Sequence, residues 1–311
     1  MTRRFRPDAL TLALGVLVLV LVPVAVTTDR FLTLGNARAI LASAALVGIS
    51  ALGATLVMIA GSAVSMAASQ TATVVAMVFL ATQERGLVVA TLLGLLCGIA
   101  VTAIQGAAVG YWEANPIVLT IAAGFAIGGG AVWFSGGTPV YASADRYELM
   151  NSTPLGLPLA VYVLLALAVL AQWLLRRTAA GRQMYLVGEN RAAARAAGLP
   201  VARVMVLAWA FFGLCLAVTG VFLASFNTSA TTNLGGTLTL DAIAAVLVGG
   251  TAITGGKGSA LRTLGGTVLI SIIADVLLLR GYSSGVQILV KGALVLAVVV
   301  LVHFRATRGA R

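Results

Sequence analysis

Charge is what this sequence has least of. Only 9% of its 311 residues are Asp, Glu, Lys or Arg, about a third of the roughly 25% with which a soluble domain covers itself. That deficit excludes a water-soluble globule. Histidine is scarcer still. His303 is the single one, with no carboxylate or Cys cluster near it in sequence, so the pattern supports neither a metal site nor a catalytic imidazole. Cys97 and Cys215 both lie inside apolar runs and read as small hydrophobes, not as a disulfide or metal pair. No Ser/His, His/Glu or Asp/Asp constellation falls on neighbouring helix faces, and the chain does not read as an enzyme. A nucleotide loop is missing too. The stretch GGTAITGGKGSALRT, Gly249 to Thr263, tempts that reading, but a P-loop needs Gly five before Gly256 and Ser or Thr after the Lys. Thr251 and Gly258 stand there instead.

What is present is apolar length. Hydrophobic residues make up 60% of the chain, and runs of roughly 20 of them read as membrane helices, which satisfy their own backbone in hydrocarbon. Ten runs stand out, roughly 9–26, 38–60, 66–81, 87–109, 117–134, 155–175, 204–224, 240–254, 263–279 and 286–303. The fold class expected is an all-α polytopic membrane protein of about ten spans, some short or broken, forming one domain over 1–311. The first run is longer than a signal peptide's apolar core and lacks a small-residue cleavage site, so it reads as a retained span.

Basic residues set the orientation. With both termini inside, fourteen fall inside: Arg3, Arg4, Arg6, Arg176, Arg177, Arg182, Arg191, Arg195, Arg203, Lys257, Arg262, Arg305, Arg308 and Arg311. Five fall outside: Arg30, Arg38, Arg85, Arg146 and Arg280. This bias accounts for the net charge of +11 without a nucleic-acid partner. Five spans per half would make any internal duplication inverted. Ala37-Arg38…Gly48 and Ala202-Arg203…Gly213 share a spacing that hints at one. The eighth run, about 15 residues, is too short for a core of about 30 Å, and the second and third runs split at AGSAVSMAAS; such segments are tolerated inside protein or along an aqueous cavity.

The most informative polar stretch is GRQMYLVGENRAAARAAGLPV, 181–201. Asn190 suits an N-cap, RAAARAA is nearly pure helix former, Gly198 suits the left-handed position after the helix, and Pro200 stops continuation. The result is a helix of about seven residues, too short to persist alone in water. Arg191 and Arg195 share a face at i, i+4, and the alanines leave a smooth one. Two readings follow: a docking element for another protein, or a connector whose arginines only enforce topology.

GRQMYLVGENRAAARAAGLPVARV resembles the cytoplasmic loop of membrane permease subunits of bacterial ABC importers, in the ribose/monosaccharide branch of the branched-chain amino acid/sugar permease superfamily. LDAIAAVLVGGTAITGGKGSALRTLGGTVLI, YSSGVQILVKGALVLAVV and NPIVLTIAAGFAIGGGAVWFSGGTPV are similar to other parts of the same family, and together they cover roughly 40–303 in order. The resemblance implies that a coupling loop at about 177–203 seats its helix in a groove of an ATPase subunit. That role would fall on Gly188, Glu189, Asn190, Ala193, Ala194 and Gly198, flanked by Arg191 and Arg195. Lys257 would stand in a tight turn at the same interface. It further implies a bacterial cytoplasmic membrane protein with no cofactor of its own, ATP being bound by the partner ATPase. The other partners implied are a second permease copy or paralogue and an extracytoplasmic substrate-binding protein. The solute implied is a monosaccharide, with nucleosides and branched-chain amino acids as alternatives; an ion-coupled secondary transporter is the competing class. One departure is plain. Where the family has G-I-D-L-S, this chain has GSAVSMAAS, Gly61 to Ser69, without an acid; a divergent partner in a two-permease complex would account for it.

Polar residues in the spans are candidates for a solute route. Ser62, Ser65, Ser69 and Gln70 flank the break between the second and third spans, and can serve either a sugar or close packing. Asp275 in the ninth span reads as a route residue, as a partner of Lys291, or as buried at a subunit interface. Gln287 fits the family pattern, as does Lys291, which can also snorkel. Asp241 reads as an N-cap. Trp112, Trp133 and Trp173 read as interfacial anchors.

Overall fold

A computed structural model describes residue 23, residues 26–142, residue 144 and residues 147–308. The span expected at 9–26 lies outside these apart from its end, as do Arg3, Arg4, Arg6, Arg146 and Arg311; the side chains of His303, Arg305 and Arg308 are likewise not described. Eleven α-helices follow in chain order: α1 (Leu34–Ile59), α2 (Ala68–Ala81), α3 (Leu87–Tyr111), α4 (Pro116–Ser135), α5 (Leu159–Arg177), α6 (Ala179–Glu189), α7 (Arg191–Ala196), α8 (Val201–Asn227), α9 (Leu238–Val248), α10 (Ala260–Leu279) and α11 (Ser284–Arg308). Each of the nine apolar runs within the described residues became a helix. Six helices, α1, α3, α4, α5, α8 and α10, are long and apolar enough to cross a membrane. The chain is therefore an all-α polytopic membrane protein. A two-residue ribbon, β1 (Val140–Tyr141) against β2 (Ser229–Ala230), is antiparallel with Val140 opposite Ala230.

Local chemistry places the ends. Thr33 accepts from the Asn36 amide to start α1. Asn115 accepts from the Ile117 and Val118 amides, with Pro116 at the first helical position of α4. α1 and α9 finish alike: Gly61 and Gly250 both have φ +78, and the next amides, Ser62 and Thr251, donate to Val57 and Val246 five residues back. That is a Schellman stop, for which glycine carries no Cβ penalty.

The hinted duplication is real, and it is inverted. α1–α4 and α8–α11 are equivalent in order: a long buried helix, a short one, and two further long ones. α1 and α8 cross at the centre, where the hydroxyls of Ser50 and Thr219 lie 3.0 Å apart. α3 packs on α8 as α10 packs on α1. Gly48 of α1 meets Thr267 of α10, and its spacing partner Gly213 of α8 meets Thr102 of α3. α1 runs towards the end carrying α6 and α7, and α8 starts from that end, so the units point opposite ways.

The short helices are half-spans. α9 has 11 residues, about 16 Å at 1.5 Å per residue, against a core of about 30 Å. The N-termini of α2 and α9 meet in the middle of the bundle. The Ser69 amide donates to Thr239 Oγ1 (2.9 Å), the Thr239 amide donates to Ser69 Oγ (3.1 Å), and the hydroxyls lie 2.7 Å apart. Each half-helix thus caps the other and satisfies amides that hydrocarbon would leave bare.

Basic side chains segregate as expected. The α6–α7 end holds Arg176, Arg177, Arg182, Arg191, Arg195, Arg203, Lys257 and Arg262; the opposite end holds Arg30, Arg38, Arg85 and Arg280 among the described residues.

Candidate functional site

The α6–α7 segment is built from a sharp turn. Thr178 ends α5, and its Oγ1 accepts from the Gly181 amide to start α6. α6 was not anticipated as a helix. It is amphipathic, burying Met184 and Val187 and leaving Arg182, Leu186 and Glu189 outside. Asn190 then caps α7, accepting from the Ala193 amide at 3.0 Å. α7 has six residues against the seven expected. Gly198 has φ +75, and the Gly198 and Leu199 amides close onto Arg195 and Ala194, the left-handed stop read from sequence.

The two faces of α7 have different fates. Ala194 is buried, whereas Ala192, Ala193, Ala196 and Ala197 are exposed and form the smooth side. Arg191 turns inwards, whereas Arg195 stays largely exposed. Arg191 Nη2 lies 3.4 Å from Met205 Sδ on α8, and Arg195 pairs with Glu113 in the α3–α4 turn. Partial burial, then the adjacent Arg195, pull the Arg191 guanidinium below its ordinary pKa, while Glu113 pulls it back up. A groove of about 670 Å³ runs beside them, lined by Tyr111, Glu113, Arg195, Pro200 and Arg203.

At the foot of α6 three backbones touch. The Gly256 amide donates to the Ile59 carbonyl at 2.9 Å, joining the α9–α10 turn to the end of α1. Gly188 is wedged between them, and a Cβ there would run into the Ile59 carbonyl oxygen and approach the Gly256 nitrogen to 2.6 Å. A Cβ on Gly255 would come 2.6 Å from Gly61 Cα. Tyr185 Oη donates to the Gly258 carbonyl at 3.1 Å, and burial raises the pKa of its phenol against the lowering effect of Arg176 and Arg262. Glycines at 249–258 thus serve backbone contact, with Lys257 exposed at the rim.

The expected route residues do not form one cluster. Ser62 is buried, its Oγ 3.3 Å from the Ala63 carbonyl. Ser65 Oγ donates to Gln105 Oε1 at 2.8 Å, and Ser69 is engaged with Thr239. Gln70 lies beside Gly124 and Gly128 of α4, its buried Oε1 without a hydrogen-bond partner. Asp275 is at the other end of the bundle, accepting from Asn36 Nδ2 at 2.8 Å. Gln287 donates to the Tyr282 carbonyl on the surface.

Two expectations are corrected. Lys291 pairs with Asp241, Nζ to Oδ1 2.7 Å, and not with Asp275. Asp241 is therefore no cap: it sits inside α9 and accepts from the Thr237 hydroxyl at 2.8 Å. Spacing could not choose between two carboxylates on adjacent helices. Glu113 was also missed, since it looked like an ordinary turn residue. Among the described residues no three His, Cys, Asp or Glu lie together to hold a metal.

The chain is 33% identical over 216 residues to the autoinducer 2 import system permease protein LsrD of Yersinia enterocolitica serotype O:8 / biotype 1B, covering 67% of this chain and 64% of the relative. It is 33% identical over 217 residues to the LsrD of Yersinia pestis (strain Pestoides F), with the same coverages. The chain thus spans just under two thirds of the length of these relatives. No solved structure matches it. Residues 36–302, from the first turn of α1 almost to the end of α11, match the family described as branched-chain amino acid transport system / permease component, and the chain belongs to that family.

Proposed function

We propose that the chain is the membrane-crossing permease subunit of an ATP-driven importer for a small polar solute of the monosaccharide class, in the cytoplasmic membrane of a bacterium. The carrying observation is the α6–α7 segment: an exposed alanine face on α7, backed by a junction at which Gly188 touches the turns that end α1 and α9. A surface gripped by a second protein needs a smooth exposed side and a stiff mount, and this segment supplies both.

In this reading residues 1–311 are one permease domain of about ten spans with both termini inside, and residues 177–203 are the coupling segment. Glu189, Asn190, Ala193 and Gly198 meet the ATPase subunit, which binds the ATP, while the buried Gly188 and Ala194 seat the segment on the bundle. Arg191 and Arg195 brace the helix from behind, and Lys257 stands at the edge of the contact. The eight basic side chains at that end favour the cytoplasmic side. A second permease, identical or paralogous, completes the membrane part, and an extracytoplasmic binding protein delivers the solute. The relatives' names, which give autoinducer 2 import, support a sugar-like solute. Of the route candidates, Gln70 is the one with an unused buried oxygen; Ser69 joins the two half-helices, Ser65 is taken up by Gln105 of α3, Ser62 turns back on the Ala63 carbonyl, and Asp275 and Gln287 brace helix ends.

The test is uptake of labelled ribose, galactose and glucose by cells expressing the chain with its neighbouring ATPase and binding protein. Uptake that survives an uncoupler and stops on ATP depletion is expected. Uptake that collapses with the uncoupler while ATP is high would replace this reading with ion-coupled transport.

A further inference from the structure

Asp241 and Lys291 form an ion pair far from either end of the bundle. Asp241 stands in the first turns of α9, two residues beyond the central Ser69–Thr239 crossing, and Lys291 is seven residues into α11. Their side chains are only 10% and 14% exposed. Ionised groups at bilayer depth are costly unless paired or wet, and apolar residues can replace a buried pair with no loss of stability. Holding α9 to α11 therefore does not by itself require charge.

The pair also lines something. A cavity of about 170 Å³ lies between α9 and α11, bounded by Thr237, Leu240, Asp241, Ile288, Lys291 and Gly292. One water needs about 15 Å³ on this measure, so the space admits a small molecule, while it falls below the roughly 300–1,000 Å³ of drug-sized sites. Apart from the pair and Thr237, its walls are apolar. Leu240 and Ile288 on its wall are exposed.

The unused hydrogen-bonding capacity defines the occupant. The Lys291 ammonium has three N–H donors, one directed at Asp241. The Asp241 carboxylate has about four lone-pair sites, engaged by Lys291 and the Thr237 hydroxyl. Two donors and about two acceptor sites remain side by side in a setting with no net charge. An ion gains nothing there. A zwitterionic amino acid would have to separate two charges 2.7 Å apart that are already paired with each other. Neighbouring hydroxyls on one carbon frame, each donor and acceptor at once, fit without opening the pair, and their C–H face suits the aliphatic wall.

We propose that the α9–α11 cavity is a solute-contact site on the transport route, in which Asp241 and Lys291 together bind adjacent hydroxyls of a neutral monosaccharide. This deepens the importer reading and rests on it for the existence of a route.

The experiment reads access and occupancy without ATP hydrolysis. Leu240→Cys and Ile288→Cys are placed separately in full-length chain carrying Cys97→Ser, assembled with its partners in membranes; the remaining Cys215 is fully buried. A membrane-impermeant charged methanethiosulfonate is applied from each side. Both cysteines are expected to label, because a route is wet. Ribose, galactose or glucose is expected to slow labelling about threefold at twice its dissociation constant, and leucine to leave it unchanged. Adding Asp241→Leu with Lys291→Met should leave labelling in place and abolish the sugar's effect. Absence of labelling overturns the site, as does labelling that no sugar slows, that leucine alone slows, or whose protection survives the double substitution. Sugar protection alongside ATP-independent uptake would keep the site and remove the ATP-driven reading.

Discussion

In the first unit the half-helix α2 faces α4 across Gly124 and Gly128, and the polar group at the seam is the amide of Gln70. In the second, α9 faces α11 beside Gly292, and the same place holds Asp241 and Lys291 around a cavity. The scaffold contacts correspond, down to Gly48 on Thr267 and Gly213 on Thr102, while the seam chemistry does not. Small residues where helices cross fix the architecture, because a Cβ more would force backbones apart. Side chains along the seams are under no such constraint. The duplication is held by packing and individualised by polarity.

That contrast can be broken at several points. The largest effect is expected at the shared junction. Gly188→Val has no space beside the Ile59 carbonyl and should cost about 3 kcal/mol or more, seen as loss of monodisperse protein in detergent. Gly129→Ala, with nothing within 4 Å, should stay within about 0.5 kcal/mol.

Next comes the asymmetry between the seams. Lys291→Met strands a buried carboxylate and should lower stability by about 3–5 kcal/mol, largely recovered by adding Asp241→Leu. Gln70→Leu in the first unit removes an oxygen that lacks a partner and should shift stability by no more than about 1 kcal/mol. Thermal midpoints in one detergent compare the three, and equal losses would erase the distinction.

The crossing of the half-helices belongs to both units. Ser69→Ala and Thr239→Ala should each cost about 1–2 kcal/mol, and the double substitution clearly less than their sum, because each removes the other's partner. Additive losses would mean that the two caps act independently. The smallest effect is expected at Glu113→Gln. Its pair with Arg195 is well exposed, and the change in midpoint should correspond to less than about 1 kcal/mol.

Much of this was legible beforehand, for identifiable reasons. Apolar length reports membrane helices directly, and all nine runs within the described residues are helical. The α7 signals, Asn190, the alanine run, Gly198 and Pro200, act within a few residues and read true. Gly48 and Gly213 marked the duplication because both occupy helix crossings. What stayed hidden depends on contacts distant in sequence. Gly188, Gly61 and Gly255 touch across nearly 200 residues, and glycine carries no sign of what it will touch. Asp275 was the partner expected for Lys291, and Asp241 was read as a cap, until the fold sent Asp275 to Asn36 and set Asp241 beside the ammonium. α6 was missed because its apolar side, Met184 and Val187, is buried only by tertiary packing.

The meeting of Ile59, Gly188 and Gly256 has a mechanical consequence. Side chains give way by changing rotamer, and an interface lined with them absorbs a small shove. Main chain laid on main chain has no such cushion. The foot of α6 therefore bears directly on the end of α1 and on the turn after α9, one belonging to each half, with no side chain between them.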